Sequence, residues 1–122
     1  MSTQIQTITI YNRNDFRKWL KKYHKKENRV AVIVHKKHTG KPAPTHRELI
    51  EEAICFGWID GFEKGMDEQR FAKRFTPRRQ KSNWTDTNIE RAQRMIDEGK
   101  MTEAGLAKMP SGSGTLPRRS RP

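Results

Sequence analysis

The residues best suited to chemistry lie in two stretches, CFGWIDG (55–61) and RFTPRRQKSNWTDTN (74–88). In the first, Asp60 is a carboxylate at the point where a helix is expected to pass into a strand. Arg74 and Arg78 follow on the predicted partner strand and just beyond it. A carboxylate beside arginines can act as a general acid or base next to an anion pocket. It can also form a structural ion pair with Arg74, and this second interpretation is favoured.

The second stretch is better explained by binding than by catalysis. Arginine side chains donate charge-assisted hydrogen bonds to phosphate or carboxylate oxygens. A helix is predicted to begin directly after them, and its N-terminus offers free N–H groups and a favourable dipole for anions. We therefore predict an anion site that draws on both stretches: Trp58, Asp60, Arg74, Arg78, Arg79, Ser82, Trp84 and Asn88.

The two tryptophans of this set have two possible roles. Trp58 and Trp84 could each stack on a base or pack in the core, and core packing is favoured for both because indole rings bury a large apolar area. Phe56 and Phe75 are also expected in the core or at its rim.

No complete set of catalytic groups is readable. His35, His38 and His46 have no cysteine or carboxylate at ligand spacing, so no metal is predicted. Cys55 lies on an apolar helix face and is expected to be a buried structural thiol. The adjacent Glu51 and Glu52 are not expected to share a helix face, which disfavours a carboxylate dyad there. We predict no catalytic residue and no cofactor, and favour a non-enzymatic protein.

Composition limits the class of protein and of partner. A chain of 122 residues with 32% hydrophobic residues fits one small domain, and a net charge of +12 favours anionic partners. These are a small anion or phosphorylated ligand, an acidic protein surface, or nucleic acid. The single cysteine suits a reducing compartment. Without an apolar run of about 20 residues or a signal peptide, we expect a cytoplasmic monomer with no membrane span.

The first half of the chain is predicted to alternate strand and helix. The β-rich run ITIY predicts a strand over 8–11, and Asn12 can cap the helix that follows. Lysines surround the polar back of that helix, and a solvated surface is the favoured interpretation for them. RVAVIVH (29–35) predicts a central, buried strand. Thr45 and Glu48 form a capping box that opens a second helix.

The second helix is predicted to end in a left-handed cap at Gly57. The second half of the chain should then contain a β-hairpin and two further helices. Turn and capping residues set their bounds: strands over 58–63 and 70–76, a helix from Thr85 to Gly99, and a short helix over 103–109. The order β-α-β-α-β-β-α-α predicts an α+β fold, a small mixed sheet with a β-hairpin and helices packed on it. Residues 1–110 should form a single domain, and the Gly-, Ser-, Pro- and Arg-rich segment 111–122 a disordered basic tail.

Three motifs, EEAICFGWIDG, RFTPRRQKSNWTDTN and MIDEGKMTEAGLAKM, occur in this order over roughly residues 45–109. Together they resemble the YdeI/OmpD-associated (OmdA-like, bacteriocin-protection) family of bacterial proteins. The resemblance implies a small α+β domain in a bacterial cytoplasm, with a role in envelope-stress or bacteriocin resistance. It carries no catalytic residues across, and the ending PRRSRP lies outside the family pattern.

Two alternatives remain beside a non-enzymatic domain that binds an anion or a protein partner. The first is a nucleic-acid-binding domain that uses the basic surface of the chain. The second is a small enzyme acting on a phosphorylated substrate, with Asp60 as acid or base beside Arg74 and Arg78. Between a local anion site and an extended basic surface, the sequence slightly favours the local site.

Overall fold

The fold contains a four-stranded mixed sheet with strands in the order β1-β2-β4-β3. The structure, a computed structural model, describes residues 6–79 and 84–110. β1 runs parallel to β2, and β4 pairs antiparallel with both β2 and β3. The strands are β1 (Gln6–Thr9), β2 (Val30–His35), β3 (Trp58–Gly65) and β4 (Arg70–Pro77). The α+β class and the element order agree with the sequence prediction, and β2 is central and buried as expected.

Four α-helices complete the fold: α1 (Arg13–Tyr23), α2 (His46–Cys55), α3 (Asp86–Asp97) and α4 (Glu103–Leu106). Their predicted caps are present. Asn12 Oδ1 accepts from the backbone N–H of Asp15 at 3.0 Å. Both hydrogen bonds of the capping box between Thr45 and Glu48 form, at 3.1 and 3.0 Å. These side chains satisfy N–H groups that a helix start leaves without intrahelical partners.

Several predicted bounds are wrong, including the end of β3, which is Gly65 instead of 63. The first strand covers Gln6–Thr9 instead of 8–11, because the chain bends at Tyr11 to reach the cap of α1. The last helix ends at Leu106 instead of 109. Beyond it, Lys108 and Met109 donate to carbonyls only three residues back, which is the tighter 3₁₀ pattern.

The helices cover one face of the sheet. Val30, Val32 and Val34 of β2 and Phe75 of β4 point to that side and join the core with Phe16 of α1. Aromatic contacts connect the layers: the Phe16 and Phe75 rings lie 4.8 Å apart. The buried hydrophobic residues of α1 and α2 all belong to this cluster, whereas Ile33, which points to the opposite face, lies outside it. The sheet therefore has a helix-covered face and a second face on which no described helix packs.

Surface features agree with the sequence in part. The lysines on the back of α1 are exposed, as expected for a solvated face. In the described ranges 6–79 and 84–110, no helix is both long and apolar enough to span a bilayer. The predicted tail over 111–122 lies outside the described residues.

Two of the glycines that follow helical segments allow a matched stability test, Gly40 after a 3₁₀ turn over Lys37–Thr39 and Gly57 after α2. Gly40 and Gly57 have nearly the same left-handed φ, 74° and 77°. A Cβ on Gly57 would lie 2.7 Å from the Ala104 carbonyl oxygen, whereas one on Gly40 would meet nothing within 4 Å. We expect Gly40→Ala to lower the free energy of unfolding by about 1 kcal/mol. Gly57→Ala should lower it by a further 1–3 kcal/mol or so because of overpacking. Urea unfolding measures both, and equal losses would show that α4 does not pack on Gly57.

Candidate functional site

The GWIDG turn is a structural junction. Gly57 ends α2, and its carbonyl oxygen accepts from the Arg78 N–H at 2.8 Å, which ties the end of β4 to this turn. Thr102 donates to the Cys55 carbonyl oxygen through its hydroxyl at 2.6 Å, so the start of α4 is attached at the same point. Trp58 is 1% exposed and meets Trp19 edge to face at 5.6 Å. The favoured core role of Trp58 is confirmed.

Asp60 lies on the helix-covered side of the hairpin. As predicted, it lies across from the region of Phe71 to Phe75, since it pairs in register with Phe75. Its ion-pair partner is Lys73, with Oδ2 3.5 Å from Nζ, and Lys73 also contacts Glu63 at 3.3 Å. The side chain of Lys73 is only 7% exposed, so these two carboxylates compensate the charge of a buried ammonium group.

The predicted ion pair between Asp60 and Arg74 is wrong. Successive side chains of a strand point to opposite faces. Because Phe75 and Lys73 point to the helix-covered face, Arg74 between them points to the other. The proposed catalytic group of Asp60, Arg74 and Arg78 is thus divided between the two faces of the sheet.

Arg78 and Trp84, two of the predicted site residues, are in contact. The guanidinium carbon of Arg78 lies 4.0 Å from the centre of the Trp84 ring, a cation–π contact. Arg78 is only 2% exposed. Burial lowers the pKa of its guanidinium, and the charge of Asp60 opposes that shift. Trp84 packs against the edge of the core, as favoured, and its indole N–H donates to the Lys108 carbonyl oxygen at 3.1 Å.

The start of α3 is already occupied by its own side chains. Thr85 Oγ1 accepts from the Asn88 N–H at 3.1 Å, and Asp86 puts a carboxylate in the first turn. The Asn88 amide oxygen accepts from Arg91 at 2.9 Å. Arg79 is exposed at the end of the hairpin, and Ser82 lies outside the described residues. The helix dipole at this end is therefore met by a carboxylate of the chain itself.

A buried cluster of charges escaped the sequence interpretation. Glu51 and Glu52 are 0% and 1% exposed, and Arg13 contacts both, at 3.0 and 2.6 Å. A single guanidinium bridges the two adjacent carboxylates, whereas sequence reasoning addressed only a carboxylate dyad on a shared helix face. Arg17 also contacts Glu52, at 2.8 Å. Glu51 is contacted by Arg47 at 2.9 Å and by Arg94 at 3.3 Å. The cluster connects α1, α2 and α3.

Two arginines of this cluster, Arg13 and Arg17, have a raised guanidinium pKa. Burial lowers the pKa of Arg13 and Arg17, but hydrogen bonds and charge from Glu52 outweigh it and raise both. The sequence contained one signal for this arrangement. Arg13 and Arg17 are four residues apart, so they share a helix face.

Cys55 lies beside the same cluster as a buried thiol, which confirms the structural role expected for it. Burial raises its pKa to about 11, although Arg17 opposes the shift. A thiol with such a pKa is protonated at neutral pH and is not a nucleophile.

The uncovered side of the sheet is defined by the strand register, and we call it the open face. Its residues are those whose side chains alternate with the core positions: Thr7, Thr9, Ala31, Ile33, His35, Ile59, Lys64, Arg70, Ala72, Arg74 and Thr76. Three of them are lysine or arginine, and none of these described strand residues is acidic. Sequence reasoning found only that Arg70 and Arg74 share a face, because the pairing of β4 with β2 was not readable.

The cations on the open face differ in whether an ion-pair partner already engages them. Arg70 donates to the Asp67 carboxylate at 2.9 and 3.1 Å, and this contact lowers the pKa of Asp67 to about 2. Arg74 is exposed, and within the described part of the chain no carboxylate lies at ion-pair distance from it or from Lys64. At the edge of the open face, the Tyr11 ring stacks on His35 with centroids 5.5 Å apart.

Disruption of the buried cluster gives the second test. We expect Glu52→Gln to lower the free energy of unfolding by about 3–5 kcal/mol, because Arg17 then loses its carboxylate partner and Arg13 keeps only Glu51. Glu98→Gln is the matched control, since its pair with Lys100 at 3.8 Å is exposed. Its loss should cost less than about 1 kcal/mol. Urea unfolding compares them, and similar small losses would contradict a structural role for the cluster.

Comparison with known proteins gives one family. The family described as Domain of unknown function (DUF8412) matches residues 8–108, which include every element from α1 to α4. No curated protein and no solved structure matches the chain. Because this match covers far more than half of the sequence, the chain belongs to the DUF8412 family.

Proposed function

We propose that this chain is a non-enzymatic domain that binds a polyanionic partner through the open face of its sheet. One observation carries the proposal. The strands contain two acidic residues, Asp60 and Glu63, and both point to the helix-covered face, where they pair with Lys73. The cations Lys64 and Arg74 point to the open face. The open face therefore carries an excess of positive charge, and such a surface attracts anions.

The geometry favours this face over the local anion site expected from the sequence. Arg78 is buried against Trp84, and the start of α3 is met by Thr85 and Asp86. An incoming anion there would compete with contacts that the fold already makes. Arg74 and Lys64, in contrast, project from the sheet without an ion pair to any described residue.

An acid or base role for Asp60 has weaker support. Its carboxylate lies 3.5 Å from the Lys73 ammonium group, which itself is almost fully buried. Protonation of Asp60 would leave this buried ammonium group with Glu63, at 3.3 Å, as its one remaining carboxylate partner among the described residues, which disfavours proton transfer by Asp60. We therefore assign Asp60 to stability.

The biological setting of the proposal comes from the resemblance to the YdeI/OmpD-associated family. That resemblance suggests a bacterial cytoplasmic protein linked to envelope-stress or bacteriocin resistance. We also propose that the protein is a monomer, because two copies of the open face carry charge of the same sign and repel each other.

Elution from immobilised heparin, a general polyanion, tests the proposal. The double variant Lys64→Gln/Arg74→Gln should elute at lower salt than the double variant Lys18→Gln/Lys22→Gln. Both variants lose two positive charges, but the control changes only exposed lysines of α1. Equal elution would mean that net charge alone drives binding. Earlier elution of the α1 variant would assign binding to that helix and overturn the proposal.

A further inference from the structure

We infer that the polyanion is a single-stranded nucleic acid whose bases stack on aromatic side chains at two corners of the open face. This inference rests on the proposed function and adds the class of partner. Its basis is the placement of Phe62 and Tyr11, two of the exposed large hydrophobic residues in the described chain.

Phe62 lies in a β-bulge of β3. The register passes from the pair Asp60–Phe75 to the pair Glu63–Lys73, so Gly61 and Phe62 together oppose Arg74. Phe62 is 65% exposed although phenylalanine is usually buried. Bulges redirect side chains at sheet edges. The bulge thus sets an exposed aromatic ring beside an exposed arginine, the combination that holds a base and its phosphate.

Tyr11 forms the second stacking position. It is 44% exposed, and its ring lies nearly parallel to the His35 ring, at 16°. His35 belongs to the open face, opposite Arg70 in the register. A ring that stacks on a second ring has fewer orientations open to it, which lowers the entropy cost of stacking a ligand base on it.

The floor between the two aromatics suits an extended strand. From strand spacing and rise, the two corners lie roughly 15–20 Å apart, a span that a few nucleotides cover. Ala31 and Ala72 lie between them, and their short side chains leave space above the sheet. Arg74 and Lys64 flank this path, and no described strand residue of the open face adds a repelling carboxylate.

Unpaired bases fit this surface better than other anionic partners do. A duplex hides its base faces in the stack, so exposed rings add nothing to its binding, whereas every unpaired base offers a face for stacking. An anionic membrane would be served by contiguous exposed apolar residues, whereas the residues between Phe62 and Tyr11, namely Ala31, Ile33 and Ala72, are half-buried or buried. A second copy of the open face carries the same charge.

Fluorescence anisotropy with a labelled single-stranded oligonucleotide of about 12 mixed nucleotides tests the inference. Phe62→Ala and Tyr11→Ala should each weaken binding about 5- to 100-fold, the range for loss of one stacked base. Leu106→Ala, which removes an apolar side chain that is 42% exposed on α4, is the matched control and should leave binding unchanged. Lys64→Gln/Arg74→Gln should reduce the magnitude of the slope of log K against log salt by about 1.4.

The outcomes separate this inference from the proposed function. If the aromatic variants bind like the wild type while the charge variant is weakened, the polyanion site stands and stacking is wrong. The same conclusion follows if a duplex of the same sequence, heparin or anionic vesicles bind as tightly as the single strand. If no polyanion binds at low salt, both proposals fall. Thermal unfolding of every variant checks that the fold is intact. Binding of DNA and RNA strands of one sequence distinguishes which of the two nucleic acids is preferred.

Discussion

The alternation of side chains along β4 is the constraint on which the rest of the structure depends. β4 lies between β2 and β3, so its register decides what each face of the sheet presents. Phe75 enters the core, and Lys73, on the same side, is buried beside Asp60. Arg74, between them, must point the other way. A shift of one residue would bury Arg74 and expose Phe75, so the hydrophobic core fixes the position of the cations.

Charge pairing inside the molecule explains how so basic a chain folds. The carboxylates of Glu51 and Glu52 are buried, yet each is met by at least two arginines at hydrogen-bond distance. Removing such groups from water is costly, and only multiple short contacts offset that cost. These arginines keep part of their side chains exposed. The acidic groups are thus used within the fold, and the positive excess is left for the surface.

The same division supports the proposed binding role. The groups that could serve as acid, base or nucleophile, Asp60 and Cys55, are engaged or buried, with Asp60 beside Lys73 and Cys55 protonated. The groups with freedom to meet a partner are cations and aromatic rings on a flat surface. Such groups can recognise negative charge and π faces.

The sequence by itself determined the elements and their order. Capping side chains such as Asn12 and Thr45, and the left-handed glycine at 57, act within a few residues of where they stand, so local pattern was sufficient to place them. It also indicated the core aromatics. Tertiary structure alone decided the partners. The pairing of Lys73 with Asp60, the convergence of Arg13 on Glu51 and Glu52, and the bulge that exposes Phe62 all depend on strand register and helix packing. These contacts join residues far apart in the chain, and periodicity within one element carries no information about them.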